Sequence, residues 1–397
     1  MTRPDAAARS PLPRRLWMHA AYHWRNSGNR LLTSARTAWD TRDAAVFPSV
    51  TSDLGGMSVT YSGLAEGIAY TLEFTELRRE GEDGSAQRTA ATVRGSQLRD
   101  PSRLADADIA IVGTSAARAR KLPAAASLIV PMRVHFVIDF DHPDGSGAPA
   151  AAPQISKRER AQFRSGLRRH AWTWAEDRGP EWFDVFYDRV YRATMQRRHG
   201  TRERTESKEV SYEVLFRRGR MFVLAQDAEP VGGALCHWDR RSGTLTLRLL
   251  GVLDGAQQHL DSGAFKAIYH FLIGWCADNG VRRLDFQGTE PFLSKGTYQW
   301  KRRFGTRVVL PPNHFGSKRL WFQVRRDTPE VRDYLVANPM LAENDEGRLE
   351  AVYFHDAERP ARLDYAANSP GVDGTRHIDL DSFLASVPRT PDRKARV

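Results

Sequence analysis

The stretch from Asp254 to Gly305, DGAQQHLDSGAFKAIYHFLIGWCADNGVRRLDFQGTEPFLSKGTYQWKRRFG, constrains the fold more than any other part of the chain. It follows an apolar, alternating run from Thr244 to Val252, the signature of a strand. A polar turn at Gln257 to Ser262 then leads into one amphipathic helix. Ala264, Ile268, Phe271, Leu272 and Trp275 recur at helical spacing and fall on one stripe, so they should face a core. Asn279-Gly280 ends that helix, because a glycine just past the last turn adopts the left-handed cap conformation without a steric penalty. Leu284 to Gly288 reads as a short buried strand. A basic helical segment follows through Tyr298, Lys301 and Phe304 to Gly305. Strand, loop, helix, strand and helix make an α/β unit.

The opening turn of the first helix is the place for an anionic ligand, since its backbone N–H groups have no partner within the helix and lie at the positive end of the dipole. Gly263 would let a guest approach the backbone closely. An ordinary cap by Asp261 or Ser262 satisfies the same turn with no guest at all, and the local pattern leaves both readings open.

Upstream, Met221 to Gln226 (MFVLAQ) and Val231 to Trp238 (VGGALCHW) are joined by the turn Asp227-Ala228-Glu229-Pro230, a hairpin signal. Downstream, Val308 to Leu310 and Leu320 to Val324 read as further strands. This order, with VGGALCHW, then DSGAFKAIYHFLIGWCADNGVRRLDFQGT, then YQWKRRFG, resembles the GNAT acyltransferase superfamily, and within it the FemABX-like branch, over about Ser156 to Val324. The resemblance implies a mixed-sheet α/β fold: a GNAT-like core preceded by a second GNAT-like α/β half. It also implies an N-acyltransferase that moves an acyl group from acyl-CoA to the amine of a small molecule, peptide or cell-envelope precursor. An aminoacyl-tRNA-dependent transferase of the FemABX type and a catalytically silent binding module are the alternatives.

By that resemblance the loop at Gln258, Ser262, Gly263 and Ala264 would hold the donor, together with Lys301, which falls with Phe304 on the family's Lys-x-x-Phe positions. The superfamily loop runs Gln/Arg-x-x-Gly-x-Gly/Ala; ending it at Gly263 puts Gln258 first and Asp261 where a glycine belongs. The strand element Asp-Phe-Gly-Gly reads Asp285-Phe286-Gln287-Gly288 here. Acyl transfer to an amine needs a cradle for the donor, a polarised carbonyl and a route for the amine proton. Tyr298, one helical turn from Lys301, is the candidate acid; Asp285 is a base or a locally satisfied cap, and Glu290 an alternative base. Tyr298 and Phe304 read equally well as core residues and Lys301 as a surface charge.

Other chemistries lack their carriers: the chain has no GxSxG elbow, GxxxxGK[ST] loop, HExxH or GxGxxG. No metal is expected, because His19 and His23 lie one turn apart without a third ligand nearby. With Lys+Arg 59 against Asp+Glu 48, the net charge is +11, which suits anionic partners: nucleic acid such as tRNA, CoA phosphates or an acidic membrane surface. High Arg and Ala usage also follows from a GC-rich genome. The two cysteines, Cys236 and Cys276, sit in no CxxC pair and read as small buried apolar residues. A basic N-terminus without an apolar h-region, and the absence of any membrane-length apolar run, point to a cytoplasmic chain.

The expected organisation is a basic segment over 1–45, helical around Trp17 to Ala38; an α/β half over 46–141; a Pro/Gly/Ala linker at 142–155; the GNAT-like domain over 156–325; and an extension with an open tail over 326–397. In the first half Met57 to Tyr61, Ile68 to Phe74, Ile109 to Val112 and Val134 to Phe140 read as strands, with EGEDGS at Glu80 to Ser85 as a hairpin tip. In the second, Ser156 caps a basic helix carrying Lys157, Arg158, Arg160, Arg164, Arg168 and Arg169. Trp182 to Arg198 carries a wide apolar stripe that must pack on a partner. Pro329 to Asn338 reads as a helix, and Leu349 to His355 as a strand.

Overall fold

The computed structural model describes residues 11–79, 86–140, 153–200 and 205–389. The hairpin tip expected at Glu80 to Ser85 and most of the linker at His142 to Pro153 lie outside the described residues. Two compact units share the chain. The first gathers Met1–Arg25, Phe136–Gln287 and Arg303–Thr306, and the second Asn26–His135, Gly288–Arg302 and Arg307–Val397.

In the first unit the strands pair in the order Val134–Asp139, Arg283–Thr289, Thr244–Val252, Glu229–Asp239, Arg220–Gln226, Thr173–Asp177. From Thr173–Asp177 to Thr244–Val252 each neighbour is antiparallel, and Thr244–Val252 then pairs in parallel with Arg283–Thr289. The hairpin closes through Asp227 and Ala228, both at positive φ (+52° and +66°), the tight turn whose twist matches that of the strands it joins. The crossover to the parallel strand is the helix Ala264–Asp278. Four antiparallel strands, a helix and a parallel strand form a mixed α/β sheet of GNAT type.

Consecutive glycines show how this sheet is covered on both faces. A Cβ on Gly232 would point at Ile268 of the crossover helix, 3.6 Å away, whereas one on Gly233 would meet Phe186 at 3.3 Å and the Phe222 carbonyl at 2.6 Å. Successive strand residues face opposite sides, so the two helical layers lie on opposite faces. One layer is the continuous helical run Pro180–His199, whose Phe183, Phe186, Tyr187, Val190 and Tyr191 are all buried, as its stripe demands. The other, Ala264–Asp278, is buried on more than the expected stripe: Phe265, Tyr269, His270, Ile273 and Cys276 are covered as well, while Phe271 and Trp275 are only half-buried. Cys236 and Cys276 are free and buried, and burial pushes both thiols up, which keeps them protonated and inert.

The second unit is built on strands in the order Gln87–Arg94, Val46–Asp53, Ser58–Gly63, Ile109–Ser115, Lys318–Val324, Ser127–Pro131. Ser58–Gly63 and Ile109–Ser115 are parallel, and Lys318–Val324 is antiparallel to both of its neighbours. The strand from Leu320 to Val324, expected in the GNAT-like domain, is therefore a central strand of the other unit, where Leu320, Trp321, Phe322 and Val324 are buried. Ile68 to Phe74, expected as a strand, is helical, as Ile68–Leu72 continuing into Glu73–Arg79. Thr71, Leu72, Phe74 and Thr75 are buried, a spacing that serves a helix, and a seven-residue apolar run does not separate the two periods. The stretch expected to be helical around Trp17 to Ala38 forms two helices, Leu12–Asn26 and Arg30–Asp40, because Asn29 accepts from the Leu31 and Leu32 N–H groups and caps a new start. Part of the expected tail is ordered too: Thr375–Asp379 pairs in parallel with Leu349–His355, and Leu380 and Leu384 are buried.

Candidate functional site

The parallel pairing at the centre of the first unit is short. Thr244, Thr246 and their neighbour Leu245 pair with Arg283, Asp285 and Leu284, after which the two strands separate. On the other side of Thr244–Val252 the register slips between Leu247 and Leu249, so Arg248 is an extra residue in the ladder. A bulge of this kind bends its strand and re-aims the backbone. Beyond Thr246 the two strands are no longer paired, and Thr244–Val252 runs on toward the turn before the helix Ala264–Asp278.

The side chain of Gln287 occupies that opening. Its Nε2 donates to the carbonyl oxygens of Leu247 and, at 3.2 Å, Arg248. Its backbone is left-handed, with φ +58°, and its N–H donates to Asp285 Oδ1 at 2.6 Å. Asp285 is buried and, through this bond, holds the turn that aims Gln287 across the gap. This is the cap reading of Asp285.

Beside the helix start lies a cavity of about 350 Å³, lined by the helix Lys157–His170, by Trp172, and by Leu260 to Gly263 with Lys266 and His270. Gly263 has φ +90°, and a Cβ there would meet only the Trp172 ring at 3.8 Å, so the position is open in space and constrained in backbone. Gly166 makes room for Trp172: a Cβ on it would come within 2.7 Å of the indole. At the cavity wall Lys266 Nζ donates to both carboxylate oxygens of Glu159, at 2.9 and 3.0 Å, and Arg303 stands 3.7 Å from the same group. Glu159 is 1% exposed, so it is a buried charge with its partners in place. The His270 ring lies parallel to Phe163 at 4.2 Å. Burial pushes its pKa down to about 4, with Glu159 opposing and Lys266 adding to the fall, so the imidazole is neutral near pH 7. His270 Nε2 and Trp172 Nε1, both buried in this wall, have no hydrogen-bond partner among the described residues. Buried polar atoms of that kind are the natural contacts for a ligand or an ordered water.

Of the residues singled out in the sequence, Ser262 and Gly263 line this cavity and Ala264 opens the helix above it. Asp261 lines it also, an exposed carboxylate tied to Gln257 at 2.7 Å. Gln258 lies in the short helix Gln257–Asp261, which replaces the expected polar turn, and accepts through its carbonyl from the Ser262 N–H. Tyr298, Lys301 and Glu290 belong to the second unit. Tyr298 is fully buried, and burial, with Tyr353 close by, pushes its phenol up. Lys301 is buried and its Nζ lies 3.5 Å from the Gly288 carbonyl. Burial would raise the Glu290 pKa, but Lys295 at 3.4 Å, the hydrogen bond from Thr289 and the charge of Arg133 outweigh it and hold the group ionised. Phe304, by contrast, packs in the first unit on Tyr269 at 5.2 Å and edge-on to His270.

Glu159, Trp172, Lys266 and His270 were not anticipated as site residues. Glu159 stands three residues after the cap Ser156, where it reads as half of a capping box, yet the Ser156 N–H goes to the Arg303 carbonyl and the carboxylate to Lys266. His270 fell among apolar residues of a core helix. The one available signal was a basic helix carrying a single early acid.

Among the described residues no group of three or more His, Cys, Asp or Glu is placed to hold a metal ion. No helix among them is long and apolar enough to cross a membrane. No protein-family model matches the chain, and no curated protein matches it in sequence. Solved structures it is similar to include L-PGS from Bacillus licheniformis, 13% identical, covering 82% of this chain and 95% of that one with a TM-score of 0.37. FemX is 12% identical over 78% of this chain and 95% of its own, with a TM-score of 0.37. A GCN5-related N-acetyltransferase from Sphaerobacter thermophilus is 15% identical over 70% and 76%, with a TM-score of 0.29. The strand order and the parting strands described above, rather than these superpositions, define the fold.

Proposed function

We propose that the chain transfers an acyl group to an amine, with the donor held between the open edge after Thr246 and the start of the helix Ala264–Asp278. The observation that carries this reading is the parting of Thr244–Val252 from Arg283–Thr289 after the Thr246 and Asp285 pair. Where the strands part, an amide-bearing donor arm can pair along Thr244–Val252 in place of the Gln287 side chain, whose Nε2 bonds the Leu247 and Arg248 carbonyls. The adjoining helix start, open at Gly263, gives an anionic end its N–H groups. Acyl-CoA has both parts. In this reading Ser262, Gly263 and Ala264 bind the donor, with Gln258 as a further contact, and Asp285 is the group of the same unit to test for the proton route.

A second donor is favoured by two observations. Asp261 puts a negative charge beside the turn, and Gln287 fills the open edge; both oppose CoA. The helix Lys157–His170, whose Arg169 lines the cavity, also exposes Lys157, Arg158, Arg160, Arg164 and Arg168, a basic surface suited to the phosphates of an aminoacyl-tRNA. One pair of measurements separates the donors. Acetyl-CoA raising the melting temperature in a concentration-dependent way supports the first. Salt-sensitive retention of tRNA without protection by acetyl-CoA supports the second, and failure of both removes the transferase reading.

A further inference from the structure

The helix Leu12–Asn26 lies on the first unit with its larger apolar side turned outward. Its inward side is narrow: Met18 and Tyr22, 3% and 6% exposed, join the cluster of Phe183, Tyr187 and Leu235. Arg14 and Arg15 secure it through Glu209 at 2.5 Å and Glu213 at 3.0 Å. At a helical step of about 100° per residue, Leu12, Leu16, Ala20, Trp24 and Trp17 fall together on the side opposite Met18 and Tyr22, interrupted only by His23. Leu12, Leu16 and Trp17 are 65%, 62% and 69% exposed. Long apolar side chains gathered on one exposed helix face mark a surface that another body covers.

The border of this face says which body. Arg14 and Arg25 flank it, both exposed and paired with Glu209 and Glu206, and Arg15, paired with Glu213, lies along the other edge. Arg217 and Arg218 are exposed nearby; His19 of the same helix is held below its ordinary pKa by burial and then by Arg218, so that charge reaches the helix. Leucine and tryptophan ringed by arginine is the composition of a helix lying in the headgroup layer of a bilayer. A second copy of this chain would bring like arginine borders together, a repulsion added to that of a +11 net charge.

We propose that the outward face of Leu12–Asn26, through Leu12, Leu16 and Trp17 with their arginine border, docks on the surface of an anionic lipid bilayer. The helix lies in the interface and does not cross it: its 15 residues are too short to span a bilayer. The proposal is independent of the acyl-transfer reading.

The test is sedimentation of the full chain with vesicles of phosphatidylcholine alone and of phosphatidylcholine carrying phosphatidylglycerol. Binding is expected to the second kind only, to weaken as salt is raised, and to fall about tenfold or more in a variant carrying both Leu16→Ser and Trp17→Ser. Both side chains are mostly in solvent, so the variant should melt like the parent; Leu12→Ser alone is the milder control should it not. Equal binding to pure phosphatidylcholine, no binding to either, or binding that the variants leave intact overturns the proposal. So does a concentration-dependent dimer in sedimentation velocity that the same substitutions abolish, which would make the face a contact between copies.

Discussion

Gln287 and Leu247 are joined across a gap: the side-chain amide of one donates to the main-chain carbonyl of the other, just past the point where the pairing of their strands ends. The amide thus makes the bonds a neighbouring strand, or the amide-bearing arm of a bound donor, would otherwise make. Holding it there takes a left-handed backbone at a non-glycine residue, which costs roughly 1–2 kcal/mol, against roughly 0.5–1.5 kcal/mol for each hydrogen bond gained. The two nearly cancel.

Gln287→Gly removes the obstruction and the strain together. Its stability should stay within about 1 kcal/mol of the parent, while CoA affinity by calorimetry rises about tenfold or more. Unchanged affinity with an unchanged melt would separate this edge from donor binding.

The Glu159 and Lys266 pair makes a prediction about stability. Lys266→Met removes the bidentate partner of a carboxylate that is 1% exposed and leaves Arg303, 3.7 Å away, as its remaining cation. An uncompensated buried charge costs about 3–5 kcal/mol, so a loss of roughly 3 kcal/mol is expected in urea unfolding. Glu159→Leu added to Lys266→Met should recover most of it. If the double variant is no better than the single, the ion pair is not what the cavity wall depends on.

His270 sets a pH dependence. Its folded pKa, pushed down to about 4 from 6.5, lies below the unfolded value, so the unfolded chain binds more protons between those limits. Stability from the neutral ring is complete above about pH 6.5 and is lost as pH falls toward 4, by roughly 2 kcal/mol between pH 6.5 and 5. His270→Phe keeps a ring against Phe163 and does not titrate. The drop in stability from pH 7 to 5 should therefore shrink by about that amount in the variant. An identical drop in both proteins would show that the imidazole does not control it. His314 of the second unit, pushed down to about 3 by burial and then by Lys318, acts in the same window and remains in both proteins.

Much of the first unit could be read from the chain because its elements are set locally. Asp227-Ala228 turns the hairpin, and Asn279-Gly280 ends the crossover helix. What escaped is set by distant partners. Lys318–Val324 pairs with strands some two hundred residues earlier, and nothing within it distinguishes that sheet from the other. The cavity wall escaped for a related reason: Glu159 and Lys266 meet across 107 positions, and a lone acid in a basic helix resembles a solvated charge until its partner is in place. Ser262 and Gly263, which line the same cavity, stand at a helix start, and a helix start leaves a local trace in the sequence.

Gly263 is the position where backbone and site can be told apart. With φ +90° and no atom closer than 3.8 Å to where a Cβ would stand, substitution strains the chain without filling occupied space. Valine would add β-branching to that strain, so alanine is the cleaner probe. Gly263→Ala should cost about 1 kcal/mol of stability and, by placing a methyl group at the mouth of the helix start, weaken donor binding about tenfold. Gly166→Ala supplies the comparison, because its methyl would come within 2.7 Å of the Trp172 ring and must displace it. That overpacking should cost about 1–3 kcal/mol and disturb the cavity from its opposite wall. Donor binding lost in both variants assigns the cavity to the donor. Loss in Gly263→Ala alone confines the donor to the helix start, and binding intact in Gly263→Ala with the expected fall in stability removes the turn from the site.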